Sequence, residues 1–159
     1  MKFPFKTLGL LLASATLASC GGGGGDGGAA TPQSGTITLT ASRTNLPLNP
    51  NNILPYPGSP FMAEVAFTFR NSSGQVTALT QDATFTTSSP STVSLSPPDD
   101  PSTTDINELA TRVVSFPATT NNGSYVFFAT SYDVAGSATV TASAVDPATG
   151  LTVTKTLVF

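Results

Sequence analysis

From residue 36 onward, apolar and polar positions alternate with a period of two. Ile37, Leu39 and Ala41 alternate with Thr36, Thr38 and Thr40. Phe61, Ala63, Val65, Phe67 and Phe69 alternate with Met62, Glu64, Ala66, Thr68 and Arg70. The same rhythm returns at Ala138, Val140, Ala142 and Ala144, and again at Leu151, Val153, Lys155, Leu157 and Phe159. A period of two sends successive side chains to opposite faces of a strand, one toward a core and one toward water. Threonine fills many of the outward positions, where its β-branched side chain suits a pleated surface. Shorter candidate strands fall at residues 76–79, 83–87, 92–96, 111–116 and 125–130. No stretch beyond residue 36 repeats with a helical period.

Turn chemistry separates these runs. Asn71-Ser-Ser-Gly74, Asn121-Asn-Gly-Ser124 and Asp146-Pro-Ala-Thr-Gly150 each place Gly or Asn where a positive φ is needed. The last joins two matched alternating strands and reads as a hairpin. Seven to nine short strands, closely spaced by turns, predict an all-β antiparallel sandwich or barrel. Closing one sheet on another buries the alternate faces that a lone sheet would expose.

The front of the chain has a different character. Lys2 and Lys6 precede an uncharged, mostly apolar run over residues 8–18. That run is shorter than the about 20 residues a membrane-spanning helix needs, and it suits a cleaved export signal. It ends in Leu17, Ala18, Ser19 and Cys20. This segment resembles the lipobox of bacterial lipoproteins: an aliphatic residue, two small residues and an obligatory cysteine. The resemblance implies cleavage after residue 19, a diacylglyceryl group on Cys20 and acylation of its new amino terminus. Two or three acyl chains, at about 0.8 kcal/mol per buried methylene, give lasting anchorage where one chain binds reversibly. In lipoproteins of enteric type an Asp directly after the cysteine favours retention at the inner membrane. Gly21 stands there, so the outer membrane is the expected address. Residues 20–35, rich in glycine, read as a flexible tether with an r.m.s. reach of about 20 Å. Residues 36–159 then form one domain.

Within that domain three stretches carry a second resemblance. They are Phe67-Thr-Phe-Arg-Asn-Ser-Ser-Gly-Gln75, Ala83-Thr-Phe-Thr-Thr-Ser-Ser89 and Ala135-Gly-Ser-Ala-Thr-Val-Thr-Ala-Ser-Ala144. Their order resembles bacterial immunoglobulin-like domains of the invasin/intimin type. The resemblance implies an immunoglobulin-like β-sandwich used as a spacer or adhesive surface.

Charge narrows the choice of function. Charged residues make up 9% of the chain, against roughly 25% in an ordinary soluble domain. Of the six cations, removal of Lys2 and Lys6 leaves four against nine carboxylates, so the mature balance is 4 − 9 = −5. An acidic chain with scattered cations has no footprint for nucleic acid. There is no His, which removes imidazole catalysis and histidine metal sites. The single Cys removes internal disulfides and thiolate zinc sites.

Candidate chemistry is therefore limited to oxygen ligands and carboxylates. Asp99, Asp100 and Asp105 form the densest acidic loop, a candidate calcium site without the ordered spacing of a calcium-binding loop. Catalysis would fall to pairs drawn from Glu64, Asp82, Asp133 and Asp146, as in a glycan hydrolase, but their spacing argues for no pair. Residues 46–60 hold five prolines around Tyr56. Such a stiff segment either meets a partner at low entropic cost or shields a sheet edge. Tyr125 and Phe127 alternate with Val126 and Phe128, so one pair belongs to the core. The sequence thus predicts a non-enzymatic, membrane-anchored binding or spacer module, with an envelope protein or an external ligand as partner. A structural subunit of an envelope or secretion complex and a carboxylate-based hydrolase are the alternatives.

Overall fold

The computed structural model describes residues 33–51, 53, 56, 58–97, 111–120 and 122–159. The lipobox residues Leu17, Ala18, Ser19 and Cys20, and the calcium candidates Asp99, Asp100 and Asp105, lie outside the described residues. Eight strands appear: β1 (Thr36–Ala41), β2 (Met62–Arg70), β3 (Ala83–Thr87), β4 (Val93–Ser96), β5 (Val113–Phe116), β6 (Ser124–Ser131), β7 (Thr139–Val145) and β8 (Thr152–Val158). The helical element among the described residues is a 3-10 turn, Ala118–Thr120. No helix among them is long and apolar enough to cross a membrane.

The strands form two four-stranded antiparallel sheets, ordered β1-β2-β6-β4 and β5-β3-β7-β8. Their arrangement is immunoglobulin-like: β1, β2 and β6 take the A, B and E places, and β3, β7 and β8 take C, F and G. One feature departs from the variable-type order. After C the chain first visits the D place in sheet 1 (β4) and then the C′ place in sheet 2 (β5). Arg112 O accepts from Thr87 N (3.0 Å) and Thr111 O accepts from Leu95 N (3.1 Å), so the chain approaches β5 while bonded to both sheets.

The expected alternation sets inside from outside. Ile37, Leu39, Val65, Phe67 and Phe69 of sheet 1 face Phe85, Val114, Phe116, Val140 and Ala142 of sheet 2 in one continuous core. Phe85 lies at its centre. Its ring stacks on Phe127 at 4.4 Å, meets Phe67 edge-on at 5.2 Å and lies 5.7 Å from Tyr125. Tyr125 also stacks on Phe116 at 4.0 Å. The Tyr125/Phe127 pair is thus the inward one.

Residues 76–79 do not form a strand. Val76 makes one isolated bridge to Arg70, because the turn at Asn71 folds the chain back onto the end of β2. There Phe69 N already donates to Gly123 O at 2.8 Å and Asn71 N to Gln75 O at 2.9 Å. Asn71 and Asn122 serve these turns: Oδ1 of Asn71 accepts from Ser73 and Gln75, and Oδ1 of Asn122 accepts from Ser124. Gly74, Gly123 and Gly150 adopt φ of 78°, 89° and 70°, as the turn chemistry requires.

Three of the four edge strands carry features that oppose pairing with other chains. β4 and β5 are short, and β8 carries Lys155 on the side shared with the buried Ala142. An inward-directed charge at an edge opposes further strand addition.

Gly35 and Asp146 tie the two sheets together where the chain enters. Gly35 N donates to Asp146 Oδ2 at 2.7 Å, and Ala148 N donates to Asp146 Oδ1 at 2.9 Å. The Gly35 bond, with the Ala148 bond behind it, holds the Asp146 carboxyl below its usual pKa. A depressed value in the folded state makes this contribution present above the unfolded pKa and lost as pH falls through the folded one. The melting temperature of the wild type is therefore expected to fall more steeply below about pH 4 than that of Asp146→Asn. Parallel acid profiles for the two would contradict this role.

Candidate functional site

Three connections gather at the end of the sandwich opposite Gly35. The described residues of 42–61, with 88–92, 132–138 and Phe159, meet there, since β1, β3, β6 and β8 finish and β2, β4 and β7 begin at this distal end.

The described residues of the proline-rich loop reach across this end to Ser131 and Tyr132. Its neighbours β1 and β2 pair directly, so a long insertion between them must leave and return at the same end of sheet 1. Leu46 packs against the core beneath it. Asn49, only 1% exposed, is its pin. The Asn49 side chain donates to Ile53 O and accepts from Ile53 N, both at 2.9 Å, while Asn49 N donates to Tyr132 O at 2.9 Å. Ser131 Oγ donates to Pro47 O at 2.6 Å. Below, Ser94 Oγ donates to the Tyr132 hydroxyl at 3.0 Å, and burial pushes the Tyr132 phenol above its usual pKa.

Asn49→Ala removes both partners of Ile53 and is expected to cost about 1–3 kcal/mol. Faster amide exchange at Ile53, with β-strand amides at native protection, is the signature that checks it. Uniform loss of protection would show that Asn49 serves the whole fold.

Pinned in this way, the loop walls a cleft of about 250 Å³. Leu46, Leu48, Val93, Val134 and Phe159 provide apolar surface; Thr44, Asn45, Thr92, Ser131 and Ser137 provide hydroxyls and an amide. None of the described lining residues has an ionisable side chain. Two of the apolar wall residues are open to solvent: Leu48 is 49% exposed and Val134 44%. A cleft with these walls can bind a neutral group, and its side chains offer no general acid or base.

The carboxylates named from the sequence are not gathered into a site. Glu64 lies on the outer face of β2, in a hollow of about 240 Å³ with Arg43, Met62 and Phe128. No second carboxylate is among the described residues of that hollow. Asp133 is exposed in the 132–138 loop. Asp82 Oδ1 accepts from Ala118 N at 2.9 Å, and both Asp146 oxygens are occupied by backbone amides. Among the described residues, no group of three or more His, Cys, Asp or Glu converges as a metal site.

Sequence reasoning found the proline loop but not the cleft. Its walls come from three loops and a chain end far apart in sequence, with no local motif. The buried Asn49 was also missed, because an Asn between prolines reads equally well as an exposed turn residue.

No family model matches this chain, and no curated protein matches it in sequence. Among solved structures it is similar to the D00-D0 domain of intimin, at 17% identity and a TM-score of 0.44. The match covers 83% of this chain and 50% of that one, so the chain spans about half the length of its structural neighbour. The immunoglobulin-like assignment rests on strand order and register, not on this likeness.

Proposed function

We propose that this chain is a lipid-anchored immunoglobulin-like module of a bacterial envelope, which binds a partner at its distal cleft and catalyses no reaction. The observation that carries the reading is the cleft itself. It combines exposed apolar side chains at Leu48 and Val134, walls without ionisable side chains and a loop fixed before binding, at the end away from Gly35. A fixed loop loses little entropy on docking. Exposed apolar side chains gathered at one end are what a contact surface presents.

Cys20 is the anchor in this reading and the outer membrane its address, on the strength of Leu17, Ala18, Ser19, Cys20 and Gly21. Cys20→Ser is expected to move the protein from the membrane fraction to the soluble fraction. Equal membrane retention of variant and wild type would remove the anchor from the proposal.

A photo-crosslinking residue at Leu48 in the membrane-bound full chain tests the binding surface. The expected result is a discrete adduct that disappears in Val134→Asp and Ser137→Asp and persists in Glu64→Gln. Adduct formation that ignores the two Asp substitutions would overturn the assignment of the cleft. Surface protease treatment of intact cells separates an external ligand from an envelope partner: an adhesive module is cleaved, and a periplasm-facing subunit is protected. Turnover of a glycan that is lost in Glu64→Gln or Asp133→Asn would refute the non-enzymatic reading.

A further inference from the structure

We propose that Gly35 and Asp146 form a tension clasp, which keeps the edge strand β1 from peeling when the chain is pulled from its N-terminal side. The clasp joins elements 111 residues apart in sequence and belonging to different sheets. Gly35 immediately precedes β1 in sheet 1, whereas Asp146 immediately follows β7 in sheet 2.

Both halves are fixed independently of each other. Asp146 is 1% exposed, its N donates to Leu151 O at 2.9 Å and its O accepts from Gly150 N at 2.8 Å. Its carboxylate is therefore seated in the closed β7–β8 turn before Gly35 is counted. Gly35 is wedged on its other side by the end of β2. A Cβ built there would lie 2.5 Å from the Phe69 ring and would also strike Arg70 O. The chain thus threads a slot that admits glycine alone.

The need for such a slot follows from topology. β1 is an edge strand whose register partners all lie in β2, from Thr36 opposite Arg70 to Ala41 opposite Val65. Tension along the strand, balanced by load at the distal end, acts across the whole ladder in shear. Tension with a sideways component would instead open the ladder at Thr36 and proceed one pair at a time. The Asp146 bond holds that vulnerable end and passes sideways load to sheet 2. A carboxylate accepting a backbone N–H makes a charge-assisted bond, stronger than the neutral bonds of the ladder.

Only the source of the tension, an anchored upstream segment, rests on the proposed function. The clasp belongs to the folded domain and can be tested without a lipid.

The test is single-molecule force spectroscopy on the full chain produced without lipidation. Cys20, the one cysteine, supplies the N-terminal attachment, and Ser72→Cys, in the turn after β2 at the Gly35 end, supplies the second, so that the load opens the β1–β2 ladder from Thr36. The wild type is expected to rupture in a single main event. Asp146→Asn can accept one of the two amides but not both, so it is expected to lower the rupture force. It should also add an early event of about 40 Å, because the six freed residues of β1 span about 20 Å and their distal root lies about another 20 Å from Ser72.

A control pair, Ser72→Cys with Val134→Cys in a Cys20→Ser chain, loads both ends without passing through Gly35. Its rupture force should not change with Asp146→Asn. An equal drop in both geometries would show that Asp146 lends only general stability, and would overturn the clasp. No drop through Cys20 would overturn it equally. Should Asp146→Asn fail to fold, the wild type decides alone. An early event of about 40 Å in the Cys20 geometry means that β1 peels in spite of Asp146; its absence supports the clasp.

Discussion

Phe85→Ala is expected to cost about 3–5 kcal/mol, a large part of the roughly 5–15 kcal/mol that holds a domain of this size folded. The ring is fully buried on β3, between β5 and β7, and faces sheet 1. It touches three other rings, from Phe67, Tyr125 and Phe127, which come from both strands at the middle of sheet 1. Removing it leaves a cavity that those rings cannot fill without abandoning one another. Urea unfolding should show a lower midpoint with an unchanged slope, the mark of lost stability without a change in the surface exposed. Phe128→Ala is the control, because Phe128 neighbours Phe127 in sequence but lies on the outer face of sheet 1. Equal losses from the two would contradict the register of β6.

That inside-outside assignment was legible from the sequence, and its limits have physical causes. β2 and β7 obeyed the period of two along their whole length because each has a partner strand on both sides and one face on the core. β8 obeyed it in register but not in burial. Val153 and Leu157 are half-buried and Leu151 is exposed, since an edge strand has no neighbour to cover its far side. β4 broke the pattern in the other direction. Ser94 and Ser96 are buried on the outer side as well, and Ser94 is bonded to Tyr132. No alternation can signal a strand whose outer face is covered as well as its core face.

The candidate site was less legible than the fold for the same reason that the clasp was. The Gly35–Asp146 and Ser131–Pro47 contacts span 111 and 84 residues. Asp146 looked like a turn residue, which it is, and a spare carboxylate, which it is not. Local sequence states what a residue can do; topology decides which distant backbone amide it meets.

Deleting residues 151–159 is expected to abolish cooperative unfolding altogether, the largest effect of any change considered. β8 pairs with β7 over seven register positions, from Val145 opposite Thr152 to Thr139 opposite Val158. Beyond them, Phe159 and Ala138 exchange two backbone bonds of 2.9 and 3.1 Å. Without β8 those groups on β7 lose their partners, and Val153, Leu157 and Phe159 no longer flank the core. Two further losses follow. Asp146 N loses Leu151 O and the carbonyl of Asp146 loses Gly150's fixed neighbour strand, so the turn that seats the clasp opens. The new edge, β7, is also uncharged over its whole length, Thr139–Val145, whereas β8 carried Lys155. An uncharged edge with unpaired backbone groups is a template for association. The truncated chain should therefore show no sigmoidal melt and should sediment as aggregates. A monomer that melts cooperatively near the wild-type temperature would mean that sheet 2 closes without its last strand, and the sandwich assigned to residues 36–159 would have to be redrawn.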